Sequence, residues 1–355
     1  MKAIDIGKTG INNWRKQNGA ILITVVLISA FMAMVLIRAN QIVSYQKQLG
    51  SNIQLRDKAM SYLSGLEEFA KISLKKSFED NKESTVHLNQ DWASQGFSFP
   101  IEGGMMSATI KDMQSCFNLN SIIHEDQQGA NNNQPNANFG FAKPTGGQEI
   151  FADLIHQTNE DAGLNTSGLA AVVRDWIDPD MDVAGPDGAE DNYYQSLEIP
   201  YRVSNNMIAH PSELLAMKDF NRAIYNGLRS YICTLPDKTV NKININTVTS
   251  ENSVLIYAVL NAPNLTLEQV NNAIGARPDE GFGNIAEFLQ ELGQQLPKDV
   301  KEKADKFLTV NSHYFEMTGT VIIGKNGETK VVVKTLLKRD NSNNFEIIGR
   351  YFGKE

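Results

Sequence analysis

The residues best placed to do chemistry lie in one stretch, 174–194, which reads RDWIDPDMDVAGPDGAEDNYY. Asp178, Asp180 and Asp182 alternate around Pro179, which discourages helix, so their carboxylates can converge from a turning loop. Asp187, Glu190 and Asp191 follow closely, and with Asp175 they make seven acids against a single base, Arg174. Carboxylates this dense repel one another at neutral pH, and a hard cation resolves the repulsion. Calcium suits the spacing: it takes about six to eight oxygens from irregular loops, and Gly185 and Gly188 let the backbone wrap. The EF-hand spacing is absent. The same residues also read as a solvated acidic loop, as a magnesium or manganese site, or as a catalytic carboxylate pair, for which no complementary nucleophile or electrophile lies nearby.

Other chemistry is sparse. His87, His124, His156, His210 and His313 are scattered with no pair at ligand spacing, which speaks against zinc. No nucleotide-binding glycine motif, nucleophile elbow or CxxC occurs, so the chain reads as a non-enzyme. A formal net charge of −8 offers nothing basic to nucleic acid. Cys116 and Cys233 are the two cysteines. In an oxidising compartment they would join, closing a loop worth up to roughly 4–5 kcal/mol in the chain-entropy model; otherwise they are two buried thiols.

The elements that carry these residues begin with a membrane signal. Lys2, Lys8, Arg15 and Lys16 precede Gly19, and residues 20–37 are uncharged and mostly apolar. Eighteen residues make roughly 27 Å of helix, close to the bilayer core of about 30 Å. The basic leader stays in the cytoplasm by the positive-inside rule, which puts the chain after Arg38 in the periplasm as a single-pass inner-membrane protein. A secretory signal peptide has its small-residue cleavage site after the apolar core, whereas here the junction Gly19-Ala20 comes before it. Cutting there would keep the apolar segment. This layout resembles a type IV pilin-like precursor, in which a prepilin peptidase removes residues 1–19 and methylates Ala20. An ordinary signal anchor, or cleavage after Ala39, are the blander alternatives.

Helical character continues to about Phe78, apolar at first and then amphipathic. Alternation predicts strands over 96–100 and 105–113, and again over 314–324, 329–338 and 344–352, with Asn326-Gly327 as a hairpin turn. Between the two β regions, 125–148 is rich in Asn, Gln and Gly, and the pattern from about 148 to 310 is helical. The expected fold class is therefore α+β: a leader (1–19), a transmembrane half-helix (20–37), a helix with first strands (38–122), an inserted helical domain (123–312) and C-terminal strands (313–355). The second helical module of the insert is expected over about 241–310.

Four stretches resemble the minor pseudopilin K family of type II secretion systems, also called general secretion pathway protein K. They are QNGAILITVVL at the processing site, the acidic DWIDPDMDVAGPDGAEDNYY with PYRVSNNMIAHPSELLAM after it, KININTVTSENSVLIYAVL, and AIGARPDEGFGNIAEFL. The resemblance implies a type IV pilin-like fold, with a long N-terminal helix on an antiparallel sheet and an inserted all-α domain of two SAM-like modules. It implies calcium in that insert, carried here onto Asp178, Asp180, Asp182, Asp187, Glu190 and Asp191. The implied partners are minor pseudopilins I and J, the major pseudopilin, prepilin peptidase and, on contact, secreted substrates. The implied function is initiating or capping pseudopilus assembly for export of folded proteins from the periplasm across the outer membrane. Most pilin-like subunits carry Glu at the fifth mature position, where this chain has Thr24. A carboxylate in lipid needs a partner, so a subunit without one suits the end of a filament. The alternatives are a tip minor pilin of a type IV pilus and a membrane-anchored periplasmic metal-dependent hydrolase.

Overall fold

The computed structural model describes residues 14–80, 85–93, 96–124, 144–159, 163–293, 295–324 and 329–353. The leader residues 1–13, most of the asparagine-rich stretch and the Asn326-Gly327 turn lie outside the described residues. The first element, α1 (Trp14–Asp80), is one helix of 67 residues that passes through Gly19-Ala20. Residues 20–54 are exposed on every side, and its most apolar window has a mean hydropathy of 2.9. A helix apolar all round needs lipid or other apolar helices about it. Further on the pattern narrows to a stripe: Ala59, Leu63, Leu66, Ala70, Leu74 and Phe78 recur every three or four residues and are buried.

That stripe packs on a sheet. β1 (Phe97–Ile101) and β2 (Gly104–Asp112) form the first hairpin, after which the chain leaves the sheet. It then builds a separate helical body: β3 (Phe117–Asn118), α2 (Gly146–Thr158), α3 (Thr166–Ile177), the single turn α4 (Asp191–Tyr194), α5 (Arg222–Leu228) and β4 (Ile232–Cys233). A second set follows: β5 (Ile243–Asn244), α6 (Val254–Leu260), α7 (Leu267–Gly275), α8 (Ile285–Glu291), α9 (Lys298–Phe307) and β6 (Leu308–Thr309). The chain returns to the sheet as β7 (Tyr314–Ile323), β8 (Thr329–Arg339) and β9 (Phe345–Phe352). The sheet order is β1-β2-β7-β8-β9, antiparallel throughout. Gly319 lies beneath α1, where a Cβ would stand 3.2 Å from the Leu63 side chain.

Two expectations need correcting. Phe117, Leu119 and Ile122 pack in the core of the helical body, so 117–122 belongs with the insert and not with the strands that the boundary at 123 assigned them to. The insert also contains two short parallel ladders, β3 with β4 and β5 with β6, within stretches read as loop or helix. Each pair is two residues long, too short to leave an alternating pattern.

The junction is polar and fully buried. Asp112, at the end of β2, accepts hydrogen bonds from Ser312 Oγ (2.6 Å), Thr247 Oγ1, Asn244 Nδ2 and the Gln114 amide. Burial pushes its carboxyl up, against those four donors. Asn244 also donates to the Val86 carbonyl at 3.0 Å, so one cluster joins the end of the first hairpin, the second helical module and the segment after α1. The stretches KININT and ARPDEGFGN meet in the same module: Asn246 exchanges hydrogen bonds with the Phe282 amide and carbonyl, and Arg277 donates to the carbonyls of Asn246 and Val248.

Glu67 crosses from α1 to the sheet, accepting from Thr335 Oγ1 at 2.7 Å and from Arg350 Nε and Nη2 at 2.7 and 3.0 Å. Burial works against its charge, but the bonds from Arg350 and Thr335 hold its carboxyl below the usual range. Arg350→Ala strands this buried carboxylate, and chemical denaturation is expected to show a loss of about 2 kcal/mol, part of it recovered by adding Glu67→Gln. A loss below about 0.5 kcal/mol would show the pair to be a surface contact.

Candidate metal centre

α3 starts on Asn165, whose side chain accepts from the Gly168 amide, and runs to Ile177. Asp178 is its last cap in extended conformation, and Pro179 ends the helix. The loop then turns about Asp175. This carboxylate has no exposed surface; Oδ1 accepts from the Ala184 amide at 2.7 Å and Oδ2 from the Ala189 amide at 2.6 Å. Gly188 is required there, since a Cβ would collide with Asp175 Oδ2. Asp175 thereby gathers the loop into a closed curve and delivers Glu190 to the start of α4.

The curve brings Asp178, Asp180 and Glu190 together, with one oxygen of each lying within 4.8 Å of the others. Asp178 Oδ1 and both oxygens of Glu190 are buried without a hydrogen-bond partner. Glu190 sits at the N-cap of α4 yet makes no capping bond. Burial, reinforced by the charges of Asp175, Asp178 and Asp180, pushes the Glu190 carboxyl up to about 8. Burial, with Asp180 and Asp175, pushes Asp178 up to about 7, although Arg174 lies 3.6 Å away. Buried oxygens lacking donors, held close against their own repulsion, fit a hard divalent cation, which would use the lone pairs and cancel the charge.

Other predicted ligands stand outside this group. Asp187 accepts from Asn165 Nδ2 at 2.8 Å, tying the loop to the start of α3. Asp191 accepts from the Val203 amide at 3.0 Å and from Gln195 Nε2 at 2.9 Å. Asp182 is exposed, and its amide donates to Asp180 Oδ1 at 2.8 Å. Of the six predicted ligands the structure brings the carboxylates of Asp178, Asp180 and Glu190 together, while Asp187 and Asp191 accept bonds from neighbouring segments and Asp182 is exposed. Lys218 was missed by sequence reasoning. Its Nζ donates to the Asp187 carbonyl at 3.0 Å and lies 5.2 Å from the Tyr193 ring centroid, and no local pattern links it to a loop about thirty residues earlier.

Thr24 is exposed on α1, its hydroxyl donating to the Ile21 carbonyl at 2.8 Å. Cys116 and Cys233 are joined, their Cα atoms 5.9 Å apart, beside Leu235, Tyr314 and Leu336 at the junction of insert and sheet.

The raised carboxyls set a pH dependence. Asp178 and Glu190 bind protons more readily folded than unfolded, so each adds stability at low pH that is lost as pH rises toward its folded value. Cation-free protein is expected to melt at a lower temperature at pH 8 than at pH 5, and Asp178→Asn with Glu190→Gln to flatten that difference. A melting temperature with the same slope in the double variant would sink the assignment.

Two models of "Type II secretion system (T2SS), protein K" match residues 115–237 and 243–311, which together are more than half of the chain. The chain belongs to this family. It is thereby a minor pseudopilin of type II secretion, a structural component of the export machinery. Type II secretion system protein K of Klebsiella pneumoniae is 30% identical over 338 residues, covering 95% of this chain and 97% of that protein. The Aeromonas hydrophila protein is 27% identical, covering 96% of this chain and 98% of its own length. Among solved structures, a chain of the GspK-GspI-GspJ complex from enterotoxigenic Escherichia coli superposes with a TM-score of 0.71 at 25% identity, covering 84% of this chain and 97% of that one. The acidic loop falls within the first matched segment, and the Asn246–Phe282 clasp within the second.

Proposed function

We propose that this chain stands at the tip of the pseudopilus, initiating or capping its assembly with minor pseudopilins I and J above a rod of the major pseudopilin. Its similarity to a chain solved in complex with GspI and GspJ supports those partners. The observation that carries the reading is α1: residues 20–54 are exposed on every side and apolar over 20–37, while the half beyond Ala59 is already covered by the chain's own sheet. Lipid takes residues 20–37, neighbouring pseudopilin helices take the remainder, and the globular part lies in the periplasm. Thr24 offers no carboxylate to a neighbour's amino terminus, which suits a subunit with a neighbour on one side only. The insert between Asp112 and Tyr314 adds bulk that a stacked copy would have to avoid.

In this reading prepilin peptidase cuts between Gly19 and Ala20 and methylates Ala20. Asp178, Asp180 and Glu190, on the frame set by Asp175, would hold calcium in the acidic loop; bound there, it would offset two of the three carboxylate charges and tie α3 to α4. The role is structural, with no turnover. The deciding experiment is the mass of the amino-terminal peptide of protein purified from membranes. A methylated Ala20 terminus is expected, and an uncut leader or a start near Asn40 would overturn the reading.

A further inference from the structure

The two long sides of the pilin-like body differ. On one side α1 meets β9 and the residue before it: Arg350 Nε donates to Glu67 at 2.7 Å, Lys75 Nζ donates to Asn344 Oδ1 at 3.0 Å, and the Phe78 and Phe345 rings stack with centroids 5.8 Å apart. On the other side it meets β1 and the turn after it: Phe69 packs edge-on to Phe97 at 4.8 Å, and Lys58 Nζ donates to Glu102 at 2.6 Å. These contacts fix which way each face of α1 points, and because α1 is one unbroken helix they fix it for the exposed half below as well. Residues eighteen apart on an α-helix are separated by about five whole turns and share a direction. Leu49 therefore points with Glu67, and Ile42 with Met60 and Phe78, toward the β9 side; Ile53, four residues on from Leu49, lies on the same face. Ser51 points with Phe69 and Asn40 with Lys58, toward the β1 side.

The chemistry of the two sides differs too. Above Arg38 the β9 side of the helix presents Ile42, Leu49 and Ile53, with Tyr45 next to them, all exposed. The β1 side presents Asn40, Ser44, Lys47 and Ser51. The sheet repeats the contrast at its edges. β1 is five residues long and contains Pro100, which has no amide to offer a further strand. β9 is eight residues long and without proline, pairs among the described strands with β8 alone, and carries Ile348, Tyr351 and Phe352 exposed along it. Free edges are ordinarily guarded by proline, charge or shortness. Of the two charged residues in β9, Arg350 is turned to Glu67, which leaves Glu346.

We propose that the β9 side is a docking seam for one neighbouring minor pseudopilin of different sequence, whose membrane-anchored helix lies along Ile42, Leu49 and Ile53 and whose globular part meets the β9 edge. The inference rests on the filament-tip reading and adds to it the side of the molecule that the neighbour takes. The position of the stripe identifies the occupant. It begins four residues beyond Arg38, at the membrane surface, and rises to the sheet, so what covers it starts from the bilayer and runs beside α1. A second copy stacked in the same sense would offer its β1 side, polar on the helix and blocked by Pro100 in the sheet. A two-fold pair of copies would cover both seams and close, with neither left to join a rod.

The test is photocrosslinking of the full chain in cell membranes that contain the other pseudopilins. A benzophenone amino acid is placed in turn at Leu49, Ile348, Ser51 and Ser98, all exposed, and the adducts are identified by peptide mass spectrometry. Leu49 and Ile348 are expected to capture the same minor pseudopilin, I or J, and Ser51 and Ser98 to capture neither. Leu49→Arg with Ile53→Arg, exposed changes that spare the core, should cut the Ile348 adduct at least about tenfold, since a charge is then buried in an apolar seam. Ser44→Arg with Ser51→Arg should leave that adduct unchanged. Adducts with a second copy, adducts from Ser51 and Ser98 as strong as the others, different partners at Leu49 and Ile348, or no pseudopilin adduct from any position would overturn the inference. The amino-terminal mass reads the filament assignment separately, so a methylated Ala20 beside any of these results removes the seam and keeps that assignment.

Discussion

Glu190→Gln is expected to raise the melting temperature of the protein in chelator and to lower it in calcium. In chelator the substitution removes a carboxyl that the fold must either protonate or hold charged against Asp175, Asp178 and Asp180 with both oxygens unpaired, so that cost is relieved. In calcium it removes a ligand. A ligand bound to the native state at about 100 times its dissociation constant stabilises by roughly 2.7 kcal/mol, equivalent to a melting shift of about 5–10 °C for a body of this size. The parent chain should therefore gain several degrees on adding calcium, and the variant little, so that the order of the two curves inverts. Scanning calorimetry of both proteins with calcium and with chelator reads this directly. A solvated acidic loop predicts no calcium shift in either, and that outcome would remove the cation from the account. Asp175→Asn should also abolish the shift although Asp175 is not one of the converging carboxylates, because the loop depends on its two backbone bonds.

Cys116→Ser with Cys233→Ser is expected to cost up to about 4–5 kcal/mol, the chain-entropy value for so long a loop. The bridge spans 117 residues and closes nearly the whole of the first matched segment, 115–237. Unbridged, the unfolded segment gains the freedom that the bond removes. The folded segment keeps the β3–β4 ladder, the bonds from Asn118 Nδ2 to the carbonyls of Asp237 and Val240, and those from Asn120 Nδ2 to Ile208 and Leu235. The loss should thus appear as a lower denaturation midpoint with native circular dichroism retained before the transition. A loss under about 1 kcal/mol would mean that the open chain is already restrained in its unfolded state.

Much of the architecture was legible because it is written in local periodicity. The apolar run of 20–37, the stripe from Ala59 to Phe78 and the alternation over 314–352 each follow from neighbours along the chain. The strand bounds agree within one residue at β1, β2, β7, β8 and β9. The acidic loop was visible as a density of charge. Its internal division was not: seven acids look alike in sequence, yet Asp175 frames the loop, Asp178, Asp180 and Glu190 converge, and Asp187 and Asp191 accept hydrogen bonds that hold neighbouring segments.

By itself, then, the sequence determined the long N-terminal helix with its apolar first half, the layer of sheet beneath its second half, the presence of a helical insert and the place where negative charge gathers. Burial patterns with periods of two and 3.6 residues depend only on which side of an element faces away from water. Tertiary structure alone decided which carboxylates meet, and that Asp112, directly and through Asn244, joins segments as distant as Val86 and Ser312. Those outcomes rest on where backbone amides from remote segments come to lie. No periodicity encodes that, because a buried carboxylate is fixed by whichever donors the whole fold brings within about 3 Å of it.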